Sequence, residues 1–202
     1  MLDNDVKAWA LAERQFGALR AHDNAVLLSI GNGVGAAVLL EGEIYRGRNS
    51  MAGEIGHVSV GGSERLCECG KLGCLEAELS DRAIVRQARL ARPEATLDDV
   101  FDDCARGRPW ACALMERVVD NACIAINLLA NAYAPDAIVL CGSLVDRYPV
   151  FLRRVEACYS NRLSAFMRGT FELRATAFGA QGGLIGAAAL AFRHRLDEII
   201  GS

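Results

Sequence analysis

Apolar and polar positions divide the chain into an opening helix, three short strands, a glycine-rich segment and a second half that alternates helices with strands. Residues 4–20 carry a mixed apolar stripe at helical spacing, and Asn4 or Asp5 can cap the helix start. Strand patterns follow over residues 25–30, 34–40 and 43–46. Glycine turns separate these strands, which predicts an antiparallel meander.

In the second half, capping signals and β-branched runs predict the remaining elements. Ser80 caps a helix over 81–91, and Thr96 with Asp99 forms a capping box for a second short helix. The further predictions are a long helix from Pro109 to about Asn131, a buried strand over 137–141, a helix over 147–165, a strand over 171–178 and an Ala-rich final helix. The order β-β-β-α-β-α-β-α predicts one α/β domain over 1–202 with a mixed sheet, and residues 47–80 form an ordered loop region within it.

Composition excludes several classes of protein. The 202 residues are 52% hydrophobic and 23% charged with a net charge of −3, which argues against disorder and against a general nucleic-acid or membrane surface. No basic segment of a secretory signal follows Met1. The longest uncharged run, 175–192, is interrupted by glycines and is predicted to form strand, turn and helix instead of a membrane span. We therefore expect a cytoplasmic location, where clustered cysteines bind metal more often than they form disulfides.

The strongest group of chemical residues is His57, Cys67, Cys69 and Cys74. Three thiols and an imidazole within eighteen residues match a Cys₃His zinc site, and four protein ligands leave no open position for a catalytic water. The predicted cofactor is therefore a structural Zn²⁺. The alternative is that these are ordinary buried cysteines, which is what we predict for the remaining five: Cys104, Cys112, Cys123, Cys141 and Cys158.

Two carboxylates are tethered to the predicted metal ligands. Glu54 lies three residues before His57, and Glu76 lies two residues after Cys74, so metal binding would fix where both side chains point. Carboxylates at a rigid, glycine-lined edge are suitable acceptors for sugar hydroxyls. The alternative interpretation is that both are solvated loop charges.

Two further features are ambiguous when each is taken alone. The turn over 31–35 (GNGVG) can let backbone amides approach a phosphate, but an ordinary Asn-Gly hairpin explains it equally well. The pair Asn4-Asp5 needs no role beyond capping a helix.

Taken together, these segments resemble the ROK family of repressors, open reading frames and sugar kinases. MAGEIGHVSV followed by CECGKLGCLE is similar to the family signature, with His57, Cys67, Cys69 and Cys74 as zinc ligands. DNDVKAWALAERQFG resembles the family's Asn-Asp helix start, IGNGVGAAVLLEGEIYRG its phosphate-facing hairpin, and IVLCGSLV a later strand and glycine turn near the nucleotide.

The resemblance implies an actin-like (ribonuclease H-like) lobe that binds a sugar in a cleft. The implied sugar contacts come from Asn4, Asp5, Glu54, His57 and Glu76, and the implied phosphate or nucleotide contacts from Gly31, Asn32, Gly33 and Gly142. In the kinases of the family, the aspartate that matches Asp5 acts as general base, with ATP and Mg²⁺ as cosubstrates. The resemblance also implies a homo-oligomer, either a dimer or a tetramer.

Two departures from the kinase pattern shape the functional prediction. Asn32 stands where kinases usually have a threonine in the hairpin. The family's first lobe, with its phosphate-binding turn, and any helix-turn-helix are absent, so we expect a C-terminal lobe of a larger protein that is inactive by itself.

Three hypotheses follow from these features. The first is the sugar-sensing lobe of a ROK-type transcriptional regulator, which would contact DNA only through the missing N-terminal region and would have no membrane partner. The alternative is the C-terminal lobe of a glucokinase or N-acetylhexosamine kinase, with Asp5 as general base. The third is a structural lobe with zinc and no ligand.

Overall fold

The computed structural model describes residues 4–200 and gives side chains as far as Ala191. The helices are α1 (Asp5–Phe16), α2 (Glu76–Leu79), α3 (Asp81–Ala88), α4 (Leu97–Ala105), α5 (Pro109–Tyr133), α6 (Ser143–Arg147), α7 (Pro149–Cys158) and α8 (Gly182–Ile200). The strands are β1 (Ala25–Ile30), β2 (Val34–Leu40), β3 (Glu43–Tyr45), β4 (Ala137–Cys141) and β5 (Glu172–Ala175).

The strands form one mixed sheet in the order β3-β2-β1-β4-β5. The first three strands form the predicted antiparallel meander, in which Ile30 of β1 lies opposite Val34 of β2. Strand β1 also pairs with β4 in parallel, and β4 pairs with β5 in parallel. This topology confirms the predicted α/β class with a mixed sheet.

Alternate residues of the central strands are buried on opposite faces of the sheet. Val26, Leu28 and Ile30 pack in the large core that contains α5, while Ala25 and Leu27 pack in a second core beneath α1. Successive strand side chains point to opposite faces, so helices on both faces favour apolar residues at nearly every position of these strands, with Ser29 as the polar exception in β1. This double burial explains why the strand patterns are continuous apolar runs without a polar face.

Helices α1 and α8 meet at two glycines of α8. A Cβ at Gly186 would lie 2.0 Å from the backbone oxygen of Ala8, and one at Gly182 would lie 1.8 Å from Nε1 of Trp9. The Trp9 Nε1–H donates a hydrogen bond to Oγ1 of Thr176 at 3.1 Å. The predicted final helix therefore serves as the outer cover of α1.

Several predicted element boundaries differ from those in the structure. Helix α1 ends at Phe16, not at residue 20, because the Glu13 carboxylate accepts the Ala18 N–H at 2.6 Å and turns the chain. The helix predicted over 147–165 is shorter, because α7 begins at Pro149, a residue suited to the first turn of a helix, and ends at Cys158, where a 3₁₀ turn follows. The short helix α6 before it was not predicted. The last strand is also shorter than the predicted 171–178, and the loop region 47–80 contains α2 and two short 3₁₀ helices, Arg48–Ser50 and Ile55–His57.

Other predictions agree with the structure. The Thr96–Asp99 capping box forms in both directions at the start of α4. Cys104, Cys123 and Cys141 are buried as predicted, whereas Cys112 and Cys158 are only half-buried. Within residues 4–200, no helix is long and apolar enough to cross a bilayer.

The close approach of α8 to α1 predicts that a Gly186→Ala substitution lowers the free energy of unfolding by about 1–3 kcal/mol, because the added methyl collides with backbone. Chemical denaturation of both proteins measures the difference. Gly183→Ala is the matched control, since nothing lies within 4 Å of its Cβ position and alanine favours a helix. Equal losses in the two variants would contradict the packing argument.

Candidate functional site

A cavity of about 320 Å³ opens where the amino end of α1 faces the carboxyl ends of β1 and β4. It is lined mainly by polar side chains and by the backbone of glycine turns. The lining includes eight of the residues predicted to bind sugar or phosphate: Asn4, Asp5, Gly31, Asn32, Gly33, Glu54, Glu76 and Gly142. The fold therefore brings together residues that lie up to 138 positions apart, from Asn4 to Gly142.

Asn4 and Asp5 enter the pocket at the start of α1. The Asn4 side chain caps the helix, since its Oδ1 accepts the N–H groups of Val6 at 3.0 Å and Lys7 at 3.3 Å. The Asp5 side chain is exposed to the pocket, and its Oδ1 accepts the Val6 N–H at 2.8 Å. The capping role is confirmed, and it holds the neighbouring carboxylate at the mouth of the pocket.

Glu76 is the first residue of α2 and is half-buried. Its Oε2 accepts the Val34 N–H at 3.1 Å, and a Cβ at Gly33 would lie 3.0 Å from the same oxygen. Glu76 is therefore an ordered part of the pocket wall and not a solvated loop charge.

Glu54 is exposed and follows a glycine that fastens its loop to β2. Gly53 has φ +92°, and a Cβ there would lie 1.8 Å from the Ala36 oxygen. The Gly53 oxygen accepts the Ala36 N–H at 2.8 Å. Only glycine fits this contact, which places Glu54 at the pocket edge.

The glycines that follow β1 and β4 each lie against the end of the other strand or its turn. Gly142 has φ +99°, and a Cβ there would lie 2.5 Å from the Ile30 oxygen. A Cβ at Gly31 would lie 2.6 Å from Oγ of Ser143. A side chain at either position would collide with the neighbouring strand end or turn.

The four predicted metal ligands converge beside the pocket. One ligand atom from each of His57, Cys67, Cys69 and Cys74 lies within 4.8 Å of the others. The Cys67 Sγ lies 3.8 Å from His57 Nδ1, and the Cys69 Sγ lies 3.6 Å from Cys74 Sγ. Zinc–sulfur bonds of about 2.3 Å place the sulfurs of a tetrahedral site about 3.8 Å apart, so the spacing and the donor set fit Zn²⁺.

The thiols of this cluster have different environments. A hydrogen bond from the backbone of Lys71 lowers the pKa of Cys69, whereas burial raises the pKa of Cys74 to about 11. The Lys71 ammonium also donates to the His57 oxygen at 2.8 Å. His57 faces this cluster and is absent from the described lining of the pocket, so its predicted sugar contact stays a prediction.

Asp81 was not among the predicted site residues. It lies behind the two turns that follow β1 and β4 (residues 31–33 and 142–143), which together form the glycine edge of the pocket. Its Oδ2 accepts the Ser143 hydroxyl at 2.5 Å, and its backbone N–H donates to the Gly31 oxygen at 2.8 Å. The Asp81 Oδ1 is buried and has no hydrogen-bond partner among the described residues. The sequence marks Asp81 only as the residue after the Ser80 helix cap. Its contact with Ser143 spans 62 positions, so no local pattern predicts it.

Burial raises the pKa of Asp81, against the opposing effects of the Ser143 hydroxyl and Arg147. A raised folded-state pKa means that the folded protein binds the proton more tightly, so the carboxylate costs stability at neutral pH and this cost disappears in acid. We predict that Asp81→Asn raises the free energy of unfolding at pH 7 relative to wild type. Denaturation at several pH values should show the difference shrinking as the pH falls from the raised folded-state pKa of Asp81 to the ordinary aspartate pKa. A difference that grows in acid would contradict the prediction.

Comparisons with known proteins place this chain in a family. The ROK family model matches residues 1–194. The xylose repressor of Bacillus subtilis is 25% identical over 198 residues, which cover 98% of this chain and 52% of the repressor. The glucokinase of Thermotoga maritima is 30% identical over 204 residues, which cover 94% of this chain and 64% of the glucokinase. The chain thus spans between half and two thirds of the length of these relatives.

A solved structure shows the same architecture. The ROK hexokinase of Thermus thermophilus superposes with a TM-score of 0.85 at 30% identity, covering 98% of this chain and 66% of the hexokinase. This likeness supports the actin-like character of the predicted lobe. The chain belongs to the ROK family.

Proposed function

We propose that the chain is the sugar-binding lobe of a ROK-family transcriptional regulator. The observation that carries this proposal is the convergence of Asn4, Asp5, Glu54 and Glu76 on one cavity. A carboxylate can accept two or more hydrogen bonds, and the pocket wall that holds these side chains is fixed by helix caps and glycine contacts. Such a set matches the closely spaced hydroxyl donors of a sugar ring.

The hydrogen-bond donors available at the glycine edge favour a regulator over a kinase. The Val34 N–H, which lies in the turn predicted to face phosphate, already donates to Glu76. Asn32 at the tip of this turn lacks the hydroxyl of the usual kinase threonine. Phosphoryl transfer depends on donors and cations aimed at the transferred group, and this edge commits one of its donors elsewhere.

The alternative function is a sugar kinase, because the relatives include glucokinases as well as repressors. In that case Asp5, exposed at the pocket mouth, would accept the proton of the attacking sugar hydroxyl, with ATP and Mg²⁺ as cosubstrates. The phosphate would lie toward Gly31, Asn32, Gly33 and Gly142.

A structural zinc is the second part of the proposal. His57, Cys67, Cys69 and Cys74 would hold the ion, and Cys74 precedes Glu76 by only two residues. The Leu75 N–H donates to the Val58 oxygen at 2.9 Å. The residues that directly follow the ligands Cys74 and His57 are therefore hydrogen-bonded to each other. Bound zinc would therefore fix α2 and the Glu76 carboxylate relative to the pocket.

Sugar binding to a regulator acts by differential affinity. A sugar that prefers one arrangement of a cytoplasmic dimer or tetramer shifts the population toward it, by no more than its difference in binding free energy. DNA contact would belong to a region outside these 202 residues. The lobe itself would supply the sensing step.

The ligand cluster predicts about one zinc per chain in purified protein, measured by plasma emission spectroscopy, because four protein ligands complete one tetrahedral shell. Cys69→Ser should lose most of this zinc, since it removes a thiolate. Cys112→Ser is the control, because Cys112 lies outside the cluster and should leave the zinc content unchanged. Less than half an equivalent in the wild type would overturn the zinc assignment.

Calorimetric titration of the full-length protein with a sugar panel tests the pocket. Glu76→Ala should weaken binding by roughly 10- to 150-fold, the loss expected for hydrogen bonds to a charged group. Glu94→Ala, which removes an exposed carboxylate outside the pocket, should leave affinity unchanged. Equal affinity in the wild type and Glu76→Ala would remove Glu76 from the site, and the absence of any sugar binding would favour the structural-lobe hypothesis.

The same full-length protein separates regulator from kinase when it is assayed with Mg²⁺-ATP and the sugars that bind. The regulator proposal predicts no turnover in the usual enzyme range of roughly 1–10³ s⁻¹. Sugar-dependent ADP release in that range, abolished by Asp5→Asn, would establish the kinase alternative.

A further inference from the structure

The described lining of the pocket carries negative charge without a balancing cation. Asp5, Glu54 and Glu76 supply three carboxylates, and no Lys, Arg or His occurs among the lining residues that the structure describes. Lys7 is close in sequence but is buried, and its ammonium donates to the Ser50 oxygen at 2.7 Å. An anion that entered the pocket would lose water and meet only like charge from these side chains.

Hydrogen-bond donors at the glycine edge are already used within the protein, which also disfavours an anion. The Gly31 N–H donates to the Gly33 oxygen at 3.0 Å, and the Val34 N–H donates to Glu76. The Ser143 hydroxyl has a single hydrogen, which it donates to Asp81. The Ser143 hydroxyl therefore presents only lone pairs to the pocket. A sugar hydroxyl can donate to such a group, whereas a phosphate dianion, which has only acceptors, cannot.

Asp81 maintains this polarity from behind the edge. Its backbone N–H holds the Gly31 oxygen, one carboxylate oxygen holds the Ser143 hydroxyl, and the other is buried without a partner among the described residues. The charge therefore lies one hydrogen bond from the pocket surface, at the end where the family resemblance would place phosphate. Partial burial limits the screening of that charge by water and salt.

We propose that the pocket recognises a sugar in its uncharged, non-phosphorylated form, and that Asp81 is a specificity-determining residue that excludes phosphate esters from the glycine edge. This inference rests on the proposed sugar-binding function and adds the chemical class of the ligand. It concerns binding only, so no bond is made or broken.

Calorimetry on the full-length protein tests the inference with matched pairs of probes. The probes are glucose, mannose and N-acetylglucosamine, each beside the phosphate ester of its C6 hydroxyl, which leaves the sugar ring unchanged. We expect the free form of the sugar that binds to have an affinity at least about tenfold higher than its ester at low salt. This ratio should fall as salt is added, since the repulsion is then screened.

Two variants locate the effect. Asp81→Asn should strengthen ester binding by about tenfold and change free-sugar affinity by less than about twofold, because the amide keeps an acceptor for Ser143 without the charge. Asp102→Asn is the control, since it removes an exposed carboxylate on α4 and should change neither affinity. The wild-type ratio and its salt dependence need no variant, so they test the ligand class even if Asp81→Asn folds poorly.

The possible failures are distinguishable. An ester that binds as tightly as its free sugar, or more tightly, overturns the ligand class while leaving the sugar-binding function intact. An unchanged ratio in folded Asp81→Asn overturns the role of Asp81. Binding of neither form of any probe overturns the proposed function itself.

Discussion

The parallel pairing of β1 with β4 is the constraint on which the pocket depends. Parallel neighbours end at the same edge of a sheet, so the turns that follow Ile30 and Cys141 must pass each other there. They touch because Gly31 and Gly142 have no side chains, and a Cβ at either would lie within 2.6 Å of the other turn. The cavity exists because this contact draws the two strand ends together while α1 covers them from one side.

Buried carboxylates then fix the elements around that edge. Glu13 of α1 accepts the N–H groups of Ala18 and Ala177, at 2.6 and 2.9 Å, and so joins α1 to the segment before α8. Glu78 of α2 forms an ion pair with Arg65 and accepts a hydrogen bond from the Ser63 hydroxyl. These contacts join α2 to the loop that carries the metal ligands. A buried carboxylate is costly unless several donors satisfy it, and here the donors come from segments distant in sequence. Each of these two carboxylates therefore both stabilises a tertiary contact and determines which segments form it.

Sequence patterns predicted the features that depend on residues close together in the chain. The apolar runs located all five strands, and the spacing of His57 and the three cysteines predicted a convergence that the structure confirms. The helix predicted over 147–165 begins only at Pro149, because proline has no N–H to donate and is suited to the first turn of a helix. Asp81 was not predicted because its role depends on its hydrogen bond with Ser143, and no sequence pattern links two residues 62 positions apart. Long-range contacts between single polar groups are therefore the part of the site that one sequence does not reveal.

The electrostatics of the edge connect this fold to the choice between sensing and catalysis. A kinase must lower the energy of a transferred phosphoryl group, whose charge develops on oxygens that need donors and cations. A sensor needs only a ligand that binds one state better than another, and uncharged hydroxyls suffice for that. The same framework of two glycine turns can serve either purpose, and the groups set around it decide which. Here Glu76 takes a backbone donor and Asp81 takes a hydroxyl proton, so both acidic residues move the edge away from phosphate chemistry and toward neutral ligands.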